Sequence, residues 1–417
     1  MNEAVQGFSG AIPLSNSADG LGERAYTALM HRRAFLRFGG GMLALSRFGS
    51  IGAEAGRTEK DGKGDGVDFS ELLNCADFDR AARERLSHMA YEYIAGGAGD
   101  EITMRWNREA LDAIRLNPRV LVDVQPVDTS VTLFGQKHSF PALLAPTAFH
   151  RLAHEEGEVA TARGANAAGA GFVVSSLSTR RLKDIAPATK HPLWFQLFVL
   201  QKERREFVRE VLAEARESGC RAIVVTVDAP VTGARNRSER ARFRLPDEWE
   251  TPYYPDRTGR KQSGGLPISG ALTWSDVEWL RGNTKLPVLL KGILNPADAK
   301  VAVKTGVDGI VVSNHGGREL DTVPASITVL PKVVEAVEGQ MPVLMDSGIR
   351  RGTDILKALA YGAKAVLIGR PYMYGLACGG AEGVSRVIEI LRKEFEMAMI
   401  LIGRRSLAEV DRAVVGE

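Results

Sequence analysis

The sequence predicts an α/β protein folded as a (β/α)8 barrel behind an N-terminal extension, and three observations predict it. Beyond residue 140, eight short β-rich apolar runs alternate with longer amphipathic stretches, the pattern of strands buried on both faces and joined by crossover helices. Nearly every run ends in a polar or charged residue, and barrels carry their chemistry at the C-terminal ends of their strands. No GxGxxG turn follows the first run, so the rival open, doubly wound sheet lacks its fingerprint.

In chain order, residues 1–66 come first and read differently from the rest: Gly- and Ser-rich, without a sustained apolar period. Within them His31-Arg32-Arg33-Ala34-Phe35-Leu36-Arg37 precedes a weakly apolar stretch over 38–53, and Ala53-Glu54-Ala55 sets small residues where a signal peptidase reads. The segment resembles a twin-arginine export signal with cleavage near residue 55, which implies an exported, periplasmic protein. The alternative is a basic tail on a cytoplasmic protein, and Arg47 inside the apolar stretch favours it. Residues 57–66 read as a charged, Gly-rich linker. Residues 67–417 then make the barrel domain, opened by helices.

The strand runs are 142–149, 171–176, 193–199, 222–228, 287–293, 309–315, 342–348 and 365–371. Helix candidates lie at 155–168, 202–217, 296–305 and 351–361, and Gly169, Gly219, Gly306 and Gly362 follow them as helix-ending residues. The common rim collects Pro146-Thr147-Ala148, Ser175-Ser176, Gln196, Thr226-Val227-Asp228, Lys291, Ser313-Asn314-His315, Asp346-Ser347-Gly348 and Gly369-Arg370. A barrel without chemistry has no reason to gather these groups at one end.

Bulk properties set the outer limits. A chain of 417 residues with 44% hydrophobic composition buries a large core. Its 54 basic and 51 acidic residues leave a net charge of +3 and no long basic patch, which argues against nucleic acid. Cys75, Cys220 and Cys378 stand far apart, in no metal-ligand spacing, so neither a metal site nor a disulfide scaffold is expected. No apolar run reaches the roughly 18 residues of a transmembrane helix.

Rim chemistry points to an anionic cofactor and an acid substrate. Asp346-Ser347-Gly348-Ile349-Arg350 and Gly369-Arg370 follow the seventh and eighth strands, where barrels bind phosphate through glycine-exposed N–H groups and arginine. Lys291 closes an apolar strand and must meet an anion. A reduced flavin is one candidate; an ion pair with Asp228 or another acid is the other. Ser313-Asn314-His315-Gly316-Gly317-Arg318 places an imidazole and a guanidinium on one loop. Oxidising an α-hydroxy acid needs both, a proton acceptor and a carboxylate anchor. Asp228, at another strand end, could hold the imidazole.

From about residue 68 onward the chain resembles the FMN-dependent 2-hydroxy acid oxidase/dehydrogenase family. The matches are the segment from Ser313 to Asp321, Tyr91-Glu92-Tyr93-Ile94-Ala95-Gly96-Gly97-Ala98, Leu144-Ala145-Pro146-Thr147-Ala148, Trp194-Phe195-Gln196-Leu197, Thr226-Val227-Asp228 and residues 346–354. The resemblance implies that His315 is the base at the substrate, paired with Asp228. It implies that Arg318 and Tyr93 hold the substrate carboxylate, with Arg235 nearby and Phe198 in the pocket. It places FMN against Pro146, Thr147, Ala148, Ser175, Gln196, Thr226, Lys291 and Ser313, with its phosphate among Asp346, Ser347, Gly348, Ile349, Arg350, Gly369 and Arg370. A homotetramer is also implied.

Departures from that pattern bear on the substrate. Phe198 stands where the family usually has tyrosine, Leu177 where an aromatic is frequent, and Glu319 where glutamine is usual. Ser238 and Ala241 replace an acid and an asparagine after Arg235. The pocket is therefore expected to be less polar and roomier, suited to a longer or more apolar acid than glycolate. Ala148 favours oxygen as electron acceptor, giving hydrogen peroxide; a quinone or cytochrome acceptor is the alternative. Two other readings are an FMN-dependent isomerase and a flavin-binding protein of weak or lost activity.

Overall fold

The structure is a computed structural model, and it describes residues 67–198, 202–254 and 272–416. The export-signal segment and the linker over 57–66 lie outside the described residues, as do residues 255–271. Eight parallel strands close into a barrel: β3 (Ala142–Leu144), β4 (Gly171–Ser175), β5 (Leu193–Leu197), β6 (Ile223–Thr226), β7 (Val288–Ile293), β8 (Gly309–Val312), β9 (Val343–Met345) and β10 (Ala365–Ile368), which pairs back to β3. All eight predicted runs hold a strand, yet each strand stops short of its run's end except β7, which reaches Ile293. The overshoot has one cause. The polar ends of the runs, such as Ser313-Asn314-His315 after β8, leave the ladder and turn into rim loops. The last residue of the third run, Val199, lies outside the described residues.

Strand alternation builds the site. Side chains of one parity face the surrounding helices, while Leu143, Val173, Trp194, Val224, Leu289, Val311, Leu344 and Leu367 form the separate apolar cluster that fills the barrel interior. Two residues further along the same inward parity come Ala145, Ser175, Gln196, Thr226, Lys291, Ser313, Asp346 and Gly369. A polar floor therefore lies directly on an apolar plug, and the period of two residues dictates it.

Below the plug, a hairpin that the sequence reading did not anticipate closes the barrel. β1 (Val131–Leu133) pairs antiparallel with β2 (Gln136–His138). Its Phe134 packs edge-on against Trp194 at 5.5 Å, and the Trp194 indole donates to Gln136 Oε1 at 3.2 Å. The predicted helices appear as α4 (Glu158–Ala167) and as Arg205–Glu217, Pro296–Thr305 and Gly352–Ala360. Gly306 ends the helix Pro296–Thr305 in the left-handed conformation at φ 72°. The expected N-terminal helices are α1 (Cys75–Arg85), α2 (His88–Ala95) and α3 (Ile102–Ala113). A long helix, Arg370–Leu401, follows the last strand and breaks at Gly379 and Gly380.

Candidate active site

A cavity opens above the polar floor, enclosing about 1170 Å³ of space out to its mouth. It is lined by Pro146, Thr147, Ala148, Ser175, Lys291, His315, Arg318, Asp346–Arg350, Gly369 and Arg370, among others. Thus the structure brings nearly all the predicted residues around one space. Gln196, Thr226, Asp228 and Ser313 sit just behind its wall, within contact of those that line it.

His315 is held from two sides. Its Nδ1 lies 3.0 Å from Asp228 Oδ1, and its backbone N–H donates to Ser313 Oγ at 3.0 Å. His315 itself adopts φ 58°, and Gly316 and Gly317 follow at φ 67° and 72°, so the chain turns sharply and aims the ring inward. Burial pushes the Asp228 carboxyl up, but the His315 imidazole and Lys291 pull it down harder, and the net shift is downward. With Nδ1 donating to a carboxylate, Nε2 is left as the acceptor. Phe198 stacks beside this imidazole at 6.1 Å between ring centres.

Lys291 makes the ion pair that is one of its two sequence readings, with Asp346 as the acid. Its Nζ contacts Asp346 Oδ2 at 2.9 Å and donates to Ser313 Oγ at 3.0 Å. Burial pulls this amine down, Asp346 and Asp228 lift it further, and the net shift is upward. A buried, fully charged ammonium therefore points into the floor of the cavity.

Among the described residues, Arg318 and Arg370 form no ion pair. Arg318 Nη1 donates to the carbonyls of Tyr93 at 2.9 Å and Gly96 at 2.7 Å, beneath the Tyr93 ring. Loss of solvent, with Arg235 and Arg370 nearby, pushes Arg318 down to about 9. Arg370 is pushed down to about 10, again chiefly by burial, and its guanidinium binds the carbonyls of Ile94, Gly96 and Gly316. The Arg370 side chain is thus engaged with backbone. What it leaves for a phosphate is the N–H groups at the start of its long helix.

The remaining predicted residues divide. Tyr93 stacks on Phe243 at 4.0 Å, an aromatic lining residue that sequence reasoning missed because it lies beyond the rim motifs. Arg235 lines the cavity, but its guanidinium is bound to Glu319. Also missed was a buried relay behind Thr147, whose hydroxyl meets His150 Nε2 at 2.7 Å and the Tyr372 hydroxyl. His150 Nδ1 in turn meets Thr161. Asp321, the last residue of the His315 motif, accepts the N–H groups of Asp100, Ile102 and Thr103 and so caps α3. Asn314 exchanges amide hydrogen bonds with Asn107 of that helix at 2.9 and 2.8 Å.

The floor fits FMN by its unmet valences. Gln196 Nε2 is buried without a partner among the described residues, although Gln196 Oε1 accepts from Ser175 Oγ at 2.9 Å. A Cβ added at Gly369 would meet nothing closer than Ala145 Cβ at 4.0 Å, so space stands open above that backbone. Gly348 turns with φ 87°, and its loop, residues 346–350, lines the same space. Ser175, Gln196 and Lys291 would hold a flat, hydrogen-bonding ring, and residues 348–350 and 369–370 would hold its phosphate.

Comparison with known proteins agrees. The family model described as FMN-dependent dehydrogenase matches residues 82–417. The chain is 45% identical over 358 residues to an L-lactate oxidase of Nostoc sp., covering 82% of this chain and 98% of that protein. It is 43% identical over 351 residues to a peroxisomal (S)-2-hydroxyacid oxidase of Arabidopsis thaliana, covering 82% and 96%. Among solved structures, mandelate oxidase with benzoyl-formic acid matches with a TM-score of 0.76 at 41% identity, covering 82% of this chain and 98% of that one.

Proposed function

Because the chain belongs to the FMN-dependent dehydrogenase family, we propose that it oxidises an L-2-hydroxy acid bearing an apolar, aryl-sized side chain and passes the electrons to oxygen. Bound FMN supplies the two-electron acceptor. One observation carries the reading: an imidazole fixed by Asp228 and a guanidinium short of an anion share one cavity with apolar walls.

The chain's own residues then have distinct tasks. His315 Nε2 takes the proton of the α-hydroxyl, and Asp228 steadies the imidazolium. Arg318 grips the carboxylate, exchanging backbone carbonyls for a charged partner, with the Tyr93 hydroxyl beside it. Phe198, Leu177 and Phe243 face the remaining space. None offers a hydroxyl, so the substrate's side chain is met by hydrocarbon. The aryl acids named with the mandelate oxidase structures suit such walls.

The test is anaerobic mixing of the holoenzyme with L-mandelate, L-2-hydroxyoctanoate, L-lactate and glycolate. The visible band of oxidised flavin should bleach, fastest with the first two, and air should restore it with release of hydrogen peroxide. Absence of bleaching with every acid would return the protein to the flavin-binding reading. Bleaching without oxygen consumption would assign a quinone or cytochrome acceptor.

We also infer export through the twin-arginine segment at 31–37, supported by its residue pattern. Arg32→Lys with Arg33→Lys should strand the protein in the cytoplasmic fraction. The family resemblance supports a homotetramer, which sedimentation reads directly.

A further inference from the structure

We propose that Glu319 is a positioning residue that neutralises Arg235 and latches it to the rim, leaving Arg318 to hold the substrate carboxylate; this rests on the functional reading above. Glu319 is buried, with its side chain only 6% exposed, and both carboxylate oxygens are used. Oε2 accepts the backbone N–H of Gly233 at 2.8 Å, and Oε1 accepts Arg235 Nη2. The same Oε1 lies 3.9 Å from His315 Nε2. Arg235 Nε completes the latch by donating to the Arg318 carbonyl at 3.3 Å.

The latch joins two rim loops, the one after β6 and the one after β8. They approach so closely that a Cβ at Gly233 would fall 2.2 Å from the Glu319 carbonyl oxygen and 2.7 Å from that of Arg318. One departure from the family pattern, Glu319 in place of the usual glutamine, gives Arg235 a negative partner. A guanidinium already bound to a buried carboxylate has little attraction left for a second one. Arg318, whose anion is missing, has all of it.

A double-mutant cycle on the holoenzyme separates this arrangement from its rival, in which Arg235 itself anchors the acid. The probes are benzoylformate and pyruvate, 2-oxo acids with no α C–H bond to lose, and their binding is read from perturbation of the flavin spectrum. Glu319→Gln is isosteric and releases a cation into the pocket, so Kd should fall by about tenfold, with KM falling while kcat does not rise. Arg235→Met leaves a buried carboxylate unpaired beside the anion, so Kd should rise by about thirtyfold or more. The double variant restores neutrality and should bind within about threefold of the wild type.

If Arg235 is the anchor, the double variant binds as weakly as Arg235→Met, and the inference falls. It falls equally if Glu319→Gln leaves Kd unchanged in protein that retains its flavin. Should neither 2-oxo acid perturb the flavin of the wild type, the functional reading fails first and takes the inference with it. Should the wild type bind and only the cycle disagree, the functional reading stands alone.

Discussion

A histidine that accepts a proton on one nitrogen works only if the other is held, and Asp228 does the holding here at 3.0 Å from Nδ1. His315→Ala should therefore lower turnover by about 10²–10⁴-fold, the usual worth of a positioned base, while the yellow cofactor stays bound. Asp228→Asn keeps the size but presents a neutral partner to Nδ1, and it should reduce kcat more than it raises KM. Stopped-flow reduction of the flavin measures both. The Asp228 carboxyl is held below its ordinary value of 3.8. Its contribution to stability is hence complete above that value and is lost as pH falls through the lower, folded one. Denaturant unfolding at about pH 6 and about pH 3 should show the wild type losing its advantage over Asp228→Asn at the acid end. His315, Arg318, Asp228 and Lys291 were all legible in the sequence, because a rim position gives a charged residue few bland uses. The Glu319–Arg235 pair was not: the two residues are far apart in sequence, and only the fold makes them neighbours.

Elements were legible where alternation or capping is strong, and obscure where a short strand has no apolar run of its own. The hairpin β1–β2 is three residues a side and reads as a polar turn; its role as barrel floor depends on Trp194 above it. Strand ends were overestimated because polar rim residues such as 313–315 follow the apolar run directly, and no glycine or proline marks where the ladder stops. Helix α4 illustrates a constraint that composition conceals. It is rich in small residues because it lies against the long C-terminal helix: a Cβ at Gly164 would stand 2.4 Å from the Ala381 carbonyl oxygen and 2.6 Å from Val384 Cβ. Backbone cannot yield as a flexible side chain does. Gly164→Ala should cost about 1–3 kcal/mol through this overpacking, despite the better helix propensity of alanine. Thermal unfolding of the holoenzyme reads it, and a gain in stability would show that the helices can separate at no expense.

At the scale of the whole molecule, the barrel is two structures stacked: an apolar plug that specifies the fold and a polar floor that is incomplete without a ligand. The floor keeps Lys291 paired with Asp346 at 2.9 Å and leaves Gln196 Nε2 without a partner among the described residues. Cofactor loss should therefore cost stability by mass action, about 2.7 kcal/mol at a free FMN concentration one hundred times Kd. Lys291 takes part in both structures, and two variants separate its roles. Lys291→Met strands the Asp346 carboxylate in the floor and should destabilise even the flavin-free protein by about 3–5 kcal/mol. Adding Asp346→Leu replaces the broken pair with hydrocarbon and should recover most of that loss. It cannot recover the cation, so FMN should still add less to the melting temperature of the double variant than to that of the wild type. Equal gains from FMN in both proteins would mean that Lys291 serves the fold alone, and that the charge in the floor is a structural ion pair beneath a site that does not use it.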